Sequence, residues 1–179
     1  MRAMGLRSSN RSAGGLRLGA ALAALALGAL VAGCCALPGD CGDTGPDSPD
    51  ATLDALHAAA SRADGGSYFA LFTPDAVFIG TDAKERWDLA AFRAYCEPYF
   101  ARGQGWTYVP TERHVVREDG VAWFDERLHN DKYGETRGSG VLVRRGGRWL
   151  IAQYVLSIPV PNELAPDLVE RVRALPVRP

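Results

Sequence analysis

Apolar positions past residue 50 recur first mainly at helical spacing and later mainly at strand spacing. Leu53, Leu56 and Ala60 recur at i, i+3 and i+7, which predicts a helix over residues 50 to 63 that stops near Gly65-Gly66. A short second helix is expected over Ser67 to Phe72, followed by a turn at Pro74-Asp75 and a short apolar strand, Val77-Phe78-Ile79, closed by Gly80. Asp88 is placed to cap a third helix, with Leu89, Phe92, Cys96, Tyr99 and Phe100 on one face; Pro98 is expected to bend or end it before Gly103. Strand-like segments then dominate. Residues 106 to 117, 121 to 130, 137 to 145 and 148 to 158 are separated by Glu118-Asp119-Gly120, Lys132-Tyr133-Gly134 and Gly146-Gly147, all hairpin signals, so an antiparallel meander is expected. Pro166 suits the first turn of a last helix carrying Leu168, Val169 and Val172 inward, and Pro176 prevents its continuation. Helices followed by strands is the α+β order, with the helices packed on one side of a curved sheet.

The amino terminus follows a different logic. Residues 1 to 17 are basic and polar, and residues 18 to 33 form an uncharged run of Leu, Ala, Gly and Val, the build of a secretory signal. This run is shorter than the roughly 20 residues that cross a bilayer as a helix. Leu30-Val31-Ala32-Gly33-Cys34 resembles the lipobox of bacterial lipoproteins, which implies cleavage before Cys34 and lipid on its thiol. The following residues, rich in Gly, Pro, Asp and Ser, read as a flexible tether. The expected division is therefore a leader over 1–33, a tether over 34–49 and a folded domain over 50–175. Export places Cys35, Cys41 and Cys96 where disulfides form, and a Cys35 to Cys41 bridge is one allowed arrangement beside free thiols. The expected address is the outer membrane facing the periplasm in a diderm cell, or the plasma membrane otherwise.

Charge narrows the partners. The whole chain carries −1, and the leader takes Arg2, Arg7, Arg11 and Arg17 with it, so the exported part is more acidic still. An acidic protein does not suit phosphate backbones, and no nucleic-acid partner is expected. His57, His114 and His129 are scattered, without ligand spacing between His or Cys residues, so no metal and no cofactor is expected. Gly138-Ser139-Gly140 sits between strand residues and reads as a bend in a strand.

Tyr68 to Trp87 (YFALFTPDAVFIGTDAKERW), Gly105 to Val115 (GWTYVPTERHV), Ala122 to Leu128 (AWFDERL) and Gly138 to Leu164 (ending RWLIAQYVLSIPVPNEL) resemble SnoaL-like members of the nuclear transport factor 2-like superfamily. The likeness covers about residues 50 to 170. It implies a cone-shaped roll, in which N-terminal helices close one end of a strongly curved antiparallel sheet around an apolar pocket, and a homodimer. Catalytic members of that superfamily usually place an Asp in the pocket, often with His or Tyr, to move a proton beside a carbonyl. Such a base needs an apolar setting that raises its pKa.

Several residues are candidates for that pocket. Strand alternation puts Val121, Trp123, Asp125, Arg127 and His129 on one face and Ala122, Phe124, Glu126 and Leu128 on the other. If Trp123 faces inward, Asp125 is the buried carboxylate with Arg127 beside it; if Phe124 does, Glu126 takes its place. Asp125 is preferred of the two, although a structural Asp125–Arg127 ion pair outweighs catalysis. Related families carry two histidines four and six residues after a Trp in the last strand; counted from Trp149, those positions hold Gln153 and Val155. Tyr154 is a candidate donor to a carbonyl, with a core position the commoner role for such a tyrosine. The loop Thr81 to Trp87 sets four charges beside an indole, which suits the rim of a site for a ligand with an apolar body and a polar end. Tyr68, Trp87, Trp106, Trp123, Asp125 and Gln153 are the expected ligand contacts. Three classes of function remain: a noncatalytic module binding a small apolar or amphiphilic molecule, which leads; an isomerase- or cyclase-type enzyme using Asp125 or Glu126; and a dimeric protein-interaction module.

Overall fold

A computed structural model describes residues 45–176. The expected leader, the lipid attachment at Cys34 and the cysteines at 35 and 41 lie outside the described residues. No described helix is long and apolar enough to cross a membrane. The end of the expected tether is already part of the domain, because Ser48 and Pro49 are buried. Helix α1 (Pro49–Ser61) begins there, with the Ser48 hydroxyl accepting from Ala51 N at 3.1 Å. It buries Leu53, Leu56, Ala59 and Ala60. Ala63, just past its end, adopts φ +54°, a left-handed conformation in the place where glycine commonly ends a helix.

Helix α2 (Gly65–Phe69) is capped by Asp64, and α3 (Leu89–Phe100) by Asp88, whose carboxylate accepts from Ala91 N at 2.8 Å. Pro98 lies inside α3 without ending it until Phe100. Between the two helices, β1 (Phe72–Ile79) is longer than the expected strand: Pro74-Asp75 forms an irregularity within it, where the register against its neighbour shifts between Phe72 and Val77. The segment after Gly80 returns as a three-residue strand, β2 (Arg86–Asp88), antiparallel to β1.

The four long strands are β3 (Val109–Glu118), β4 (Val121–Asn130), β5 (Gly134–Arg145) and β6 (Arg148–Ser157). The hairpins at Asp119-Gly120 and Gly146-Gly147 have positive φ at both central residues, the turn whose twist matches paired strands. Sheet order is β2-β1-β6-β5-β4-β3, and the sheet is mixed rather than wholly antiparallel. β1 runs parallel to β6, because the chain leaves β1, builds β2, α3 and the meander, and returns its last strand against the first. Ala122, Phe124, Glu126 and Leu128 of β4 are buried on the helix side of the sheet, while Val121, Trp123, Asp125, Arg127 and His129 are exposed. A 3-10 turn (Asn162–Leu164) leads to α4 (Ala165–Arg173), whose Leu168, Val169 and Val172 do not face inward: all three are exposed.

Candidate functional site

Polar residues of α1 recur at 50, 54 and 57, one face of the helix, and those of β3 at 113 and 117, one face of the strand. These two stripes meet around Glu126, which is fully buried (0 % exposed). A carboxylate can only accept hydrogen bonds, and this one takes three. Oε1 accepts from His57 Nε2 at 2.8 Å and from the Tyr154 hydroxyl at 3.0 Å; Oε2 accepts from Arg113 Nε at 2.9 Å. Arg113 Nη1 continues to Asp54 Oδ1 at 2.9 Å and the Asp50 carbonyl at 3.2 Å, and Arg117 Nη2 reaches Asp50 Oδ2 at 3.1 Å. Gly138, the register partner of Glu126, makes the space: a Cβ there would meet Glu126 Oε1 at 2.9 Å and press still closer on the Tyr154 hydroxyl.

Burial pushes the Glu126 carboxyl up, but the hydrogen bond and charge of His57, followed by Arg113, outweigh it and hold the group below the usual carboxylate range. The Tyr154 hydroxyl is pushed well above its ordinary range, first by burial and then by the Glu126 charge. Glu126 is therefore an ionised acceptor with both oxygens occupied. It is a weak base, and the arrangement ties α1 to the sheet.

A cleft of about 550 Å³ opens at the other end of β4, where the turn into β5 lies. Its walls come from Phe78, Trp87, Phe92, Tyr95, Tyr99, Trp106, Tyr108 and Tyr133, with Leu156 in β6 and polar groups from Glu85, Asn130, Asp131 and Lys132. The walls are braced by stacking. Phe78 and Phe92 lie 3.8 Å apart at 12°, and Trp87 stacks on Tyr95 at 4.9 Å. Glu126 and Tyr154 do not line this cleft, while Phe78, which does, stacks on Tyr154 at 5.6 Å. A second groove of about 450 Å³ runs along α3 from Pro74 to Glu97 and has no aromatic wall.

The sequence model of the SnoaL-like domain matches residues 50–161, more than half of the chain. This chain belongs to the SnoaL-like family. No curated protein matches it. Similar solved structures include a nuclear transport factor 2-like protein of Pseudomonas putida, at 17% identity over 64% of this chain and 86% of that one, with a TM-score of 0.53. A candidate dehydratase of the same superfamily from Streptomyces avermitilis is 12% identical over 63% of this chain and 94% of its own, with a TM-score of 0.54. A candidate ketosteroid isomerase from Shewanella frigidimarina is 16% identical over 60% and 92%, with a TM-score of 0.50. Identities this low establish the fold alone.

Within this SnoaL-like domain the expected site residues separate into three groups. Trp87 and Trp106 line the cleft. Tyr68 does not: it is core, its ring edge-on to Phe69 at 5.1 Å and Trp106 at 5.9 Å. Trp123, Asp125 and Gln153 are exposed on the far side of the sheet, so the inward alternative for β4 is Phe124 with Glu126. Arg127 pairs not with Asp125 but with Glu112 at 3.1 Å and Glu135 at 2.9 Å, and His114 pairs with Glu112 on the surface. Tyr154 is buried against Glu126 and does not reach the cleft. No metal-ligating cluster is found among the described residues. His57 and Arg113 hold Glu126 but are not among the site residues expected from sequence. Their signal was present as Asp50, Asp54 and His57 at helical spacing, with Arg113 and Arg117 four apart on a strand.

Proposed function

We propose that this SnoaL-like domain is a noncatalytic module that holds a small apolar or amphiphilic molecule in the aromatic cleft, at a membrane surface to which lipid on Cys34 ties it. The observation that carries the reading is that the cleft and the buried acid are distinct: eight aromatic rings line the space, while Glu126 is not among its walls and is fully engaged by His57, Tyr154 and Arg113. Apolar walls with a few polar groups at the mouth suit a ligand with a flat or oily body and one polar end. Native mass spectrometry of the full chain, purified from its own host, tests this. A defined extra mass that disappears with Trp87→Ala or Trp106→Ala supports it; a chain that carries nothing and takes up no hydrophobic fluorophore refutes it.

An isomerase- or cyclase-type enzyme is the second reading, favoured by the Tyr154–Glu126–His57 cluster and by relatives described as a candidate dehydratase and a candidate ketosteroid isomerase. It requires substrate to reach the buried Glu126, and turnover lost in Glu126→Gln with the fold intact would support it. Anchoring is tested separately. Cys34→Ser in the full chain should release the protein from the membrane fraction and alter the mature mass.

A further inference from the structure

Leu156 is the one aliphatic side chain among the described residues that wall the cleft, and six of its eight rings are indoles or phenols: Trp87, Trp106, Tyr95, Tyr99, Tyr108 and Tyr133. Aliphatic side chains and rings exclude water alike, but only a ring offers a negative π face. Tyr95, Tyr99 and Tyr133 are 40% to 46% exposed, so the mouth keeps open aromatic surface where leucine would serve an oily ligand equally well. Tyr95 joins two parts of one wall, stacked on Trp87 at 4.9 Å and tilted against Tyr99 at 5.7 Å.

Rings at this mouth already hold cations. Lys132 Nζ lies 4.7 Å from the Tyr133 centroid and the Arg102 guanidinium 5.4 Å from that of Tyr99, both within reach of a cation–π contact. Arg102, whose Nε donates to Gln104 Oε1 at 3.1 Å, is not a wall residue, whereas Lys132 is. The hydrogen bond with Tyr133 holds the Lys132 amine above its ordinary range, and so charged. Its chain neighbour Asp131 pairs with His129 at 3.5 Å, which leaves the ammonium group resting on a ring.

The wall charges have the same sense. Among the described lining residues, Glu85 and Asp131 stand against Lys132. Glu85 is half-buried, and only Oε2 is engaged by the loop, accepting from Asp82 N at 3.1 Å. Burial first, then Tyr99 and the Glu85 charge, push the Tyr95 phenol up, so this carboxylate acts on the same wall as the exposed rings.

We infer that the cleft takes an organic cation, its quaternary or tertiary ammonium group among the mouth tyrosines near Glu85 and its apolar body against Trp87, and that Lys132 covers a ring face until such a cation displaces it. The inference rests on the reading that this cleft holds a small molecule. A quaternary ammonium group has no N–H to donate, so ring faces and a carboxylate replace its water without leaving a donor unmet. An anionic end fits less well, since it would meet two carboxylates and π faces of its own sign with Lys132 alone in its favour.

Isothermal titration calorimetry of the full chain carrying Cys34→Ser, which keeps lipid off and detergent unnecessary, compares phenyltrimethylammonium, its uncharged carbon isostere tert-butylbenzene, and 4-tert-butylbenzoate. The cation should bind at least about tenfold tighter than the isostere. Glu85→Gln, which keeps an acceptor for Asp82 N, and Tyr95→Leu, which keeps apolar area, should each weaken the cation about threefold or more and leave the isostere nearly unchanged. Lys132→Met should tighten the cation about threefold, because a competing charge leaves the rings. Equal affinity for cation and isostere overturns the inference and leaves a small-molecule cleft standing. A preference for the benzoate that Lys132→Met abolishes overturns it too, giving the ligand's polar end the opposite sign. No binding of any of the three also overturns it, and uptake of a hydrophobic fluorophore by the same sample then decides whether the small-molecule reading falls with it.

Discussion

Replacing Arg113 by Met removes one partner from a buried ion pair while keeping much of the side chain's length. Glu126 is 0% exposed and the Arg113 side chain 11%, with Nε to Oε2 at 2.9 Å. Breaking such a pair strands a charge away from water, at a cost of about 3 to 5 kcal/mol. His57 and Tyr154 still hold Oε1, which favours the lower end of that range. At ~2 to 4 °C per kcal/mol for a domain of this size, the melting temperature should fall by roughly 6 to 20 °C. Arg127→Met is the control, since Arg127 also bridges two carboxylates, Glu112 and Glu135, but half in solvent, where screening leaves such a pair little net effect. Urea titrations followed by far-UV circular dichroism compare the two. The double variant Arg113→Met, Glu126→Leu should recover part of the loss, because an apolar pair leaves no charge stranded. Equal losses for Arg113→Met and Arg127→Met, or a loss under about 1 kcal/mol for the first, would refute the view that Glu126 is a fixed internal anion.

Stability should also depend on pH through Glu126. Its folded-state pKa is depressed, so its contribution is fully present above the unfolded value of about 4.3 and is lost as pH falls through the folded one. The urea midpoint should therefore drop below that pH, and less steeply in Glu126→Gln. Gly138→Ala should destabilise by about 1 to 3 kcal/mol, because the methyl group displaces the Tyr154 hydroxyl and the Glu126 carboxylate, as thermal melts will show. Ala63→Gly should stabilise by about 1 kcal/mol, as glycine takes the left-handed φ of +54° without the Cβ clash, read from the urea midpoint. The Cys96 thiol, buried and pushed up to about 12, should resist alkylation in the native protein and react in denaturant, as peptide mapping will show.

Most elements and their order were legible in local pattern, although β2 falls in the stretch expected to be a loop. Apolar spacing gave α1 and α3, Asp88 gave the start of α3, and Asp119-Gly120 and Gly146-Gly147 gave two hairpins, because each of these rests on contacts within a few residues. The sequence also reduced the β4 question to two alternatives, Trp123 with Asp125 or Phe124 with Glu126. Tertiary structure alone chose between them. Both faces of β4 are amphipathic, and the inward one is the face whose carboxylate finds His57 on α1, Arg113 on β3 and Tyr154 on β6. None of these partners is nearer than 13 residues in sequence. The parallel pairing of β1 with β6 was hidden for the same reason, since it joins the first and last strands of the sheet. For Leu168, Val169 and Val172 the helical period was correct and the inference of burial was not: amphipathicity shows that a helix has a face to cover, and leaves open what covers it.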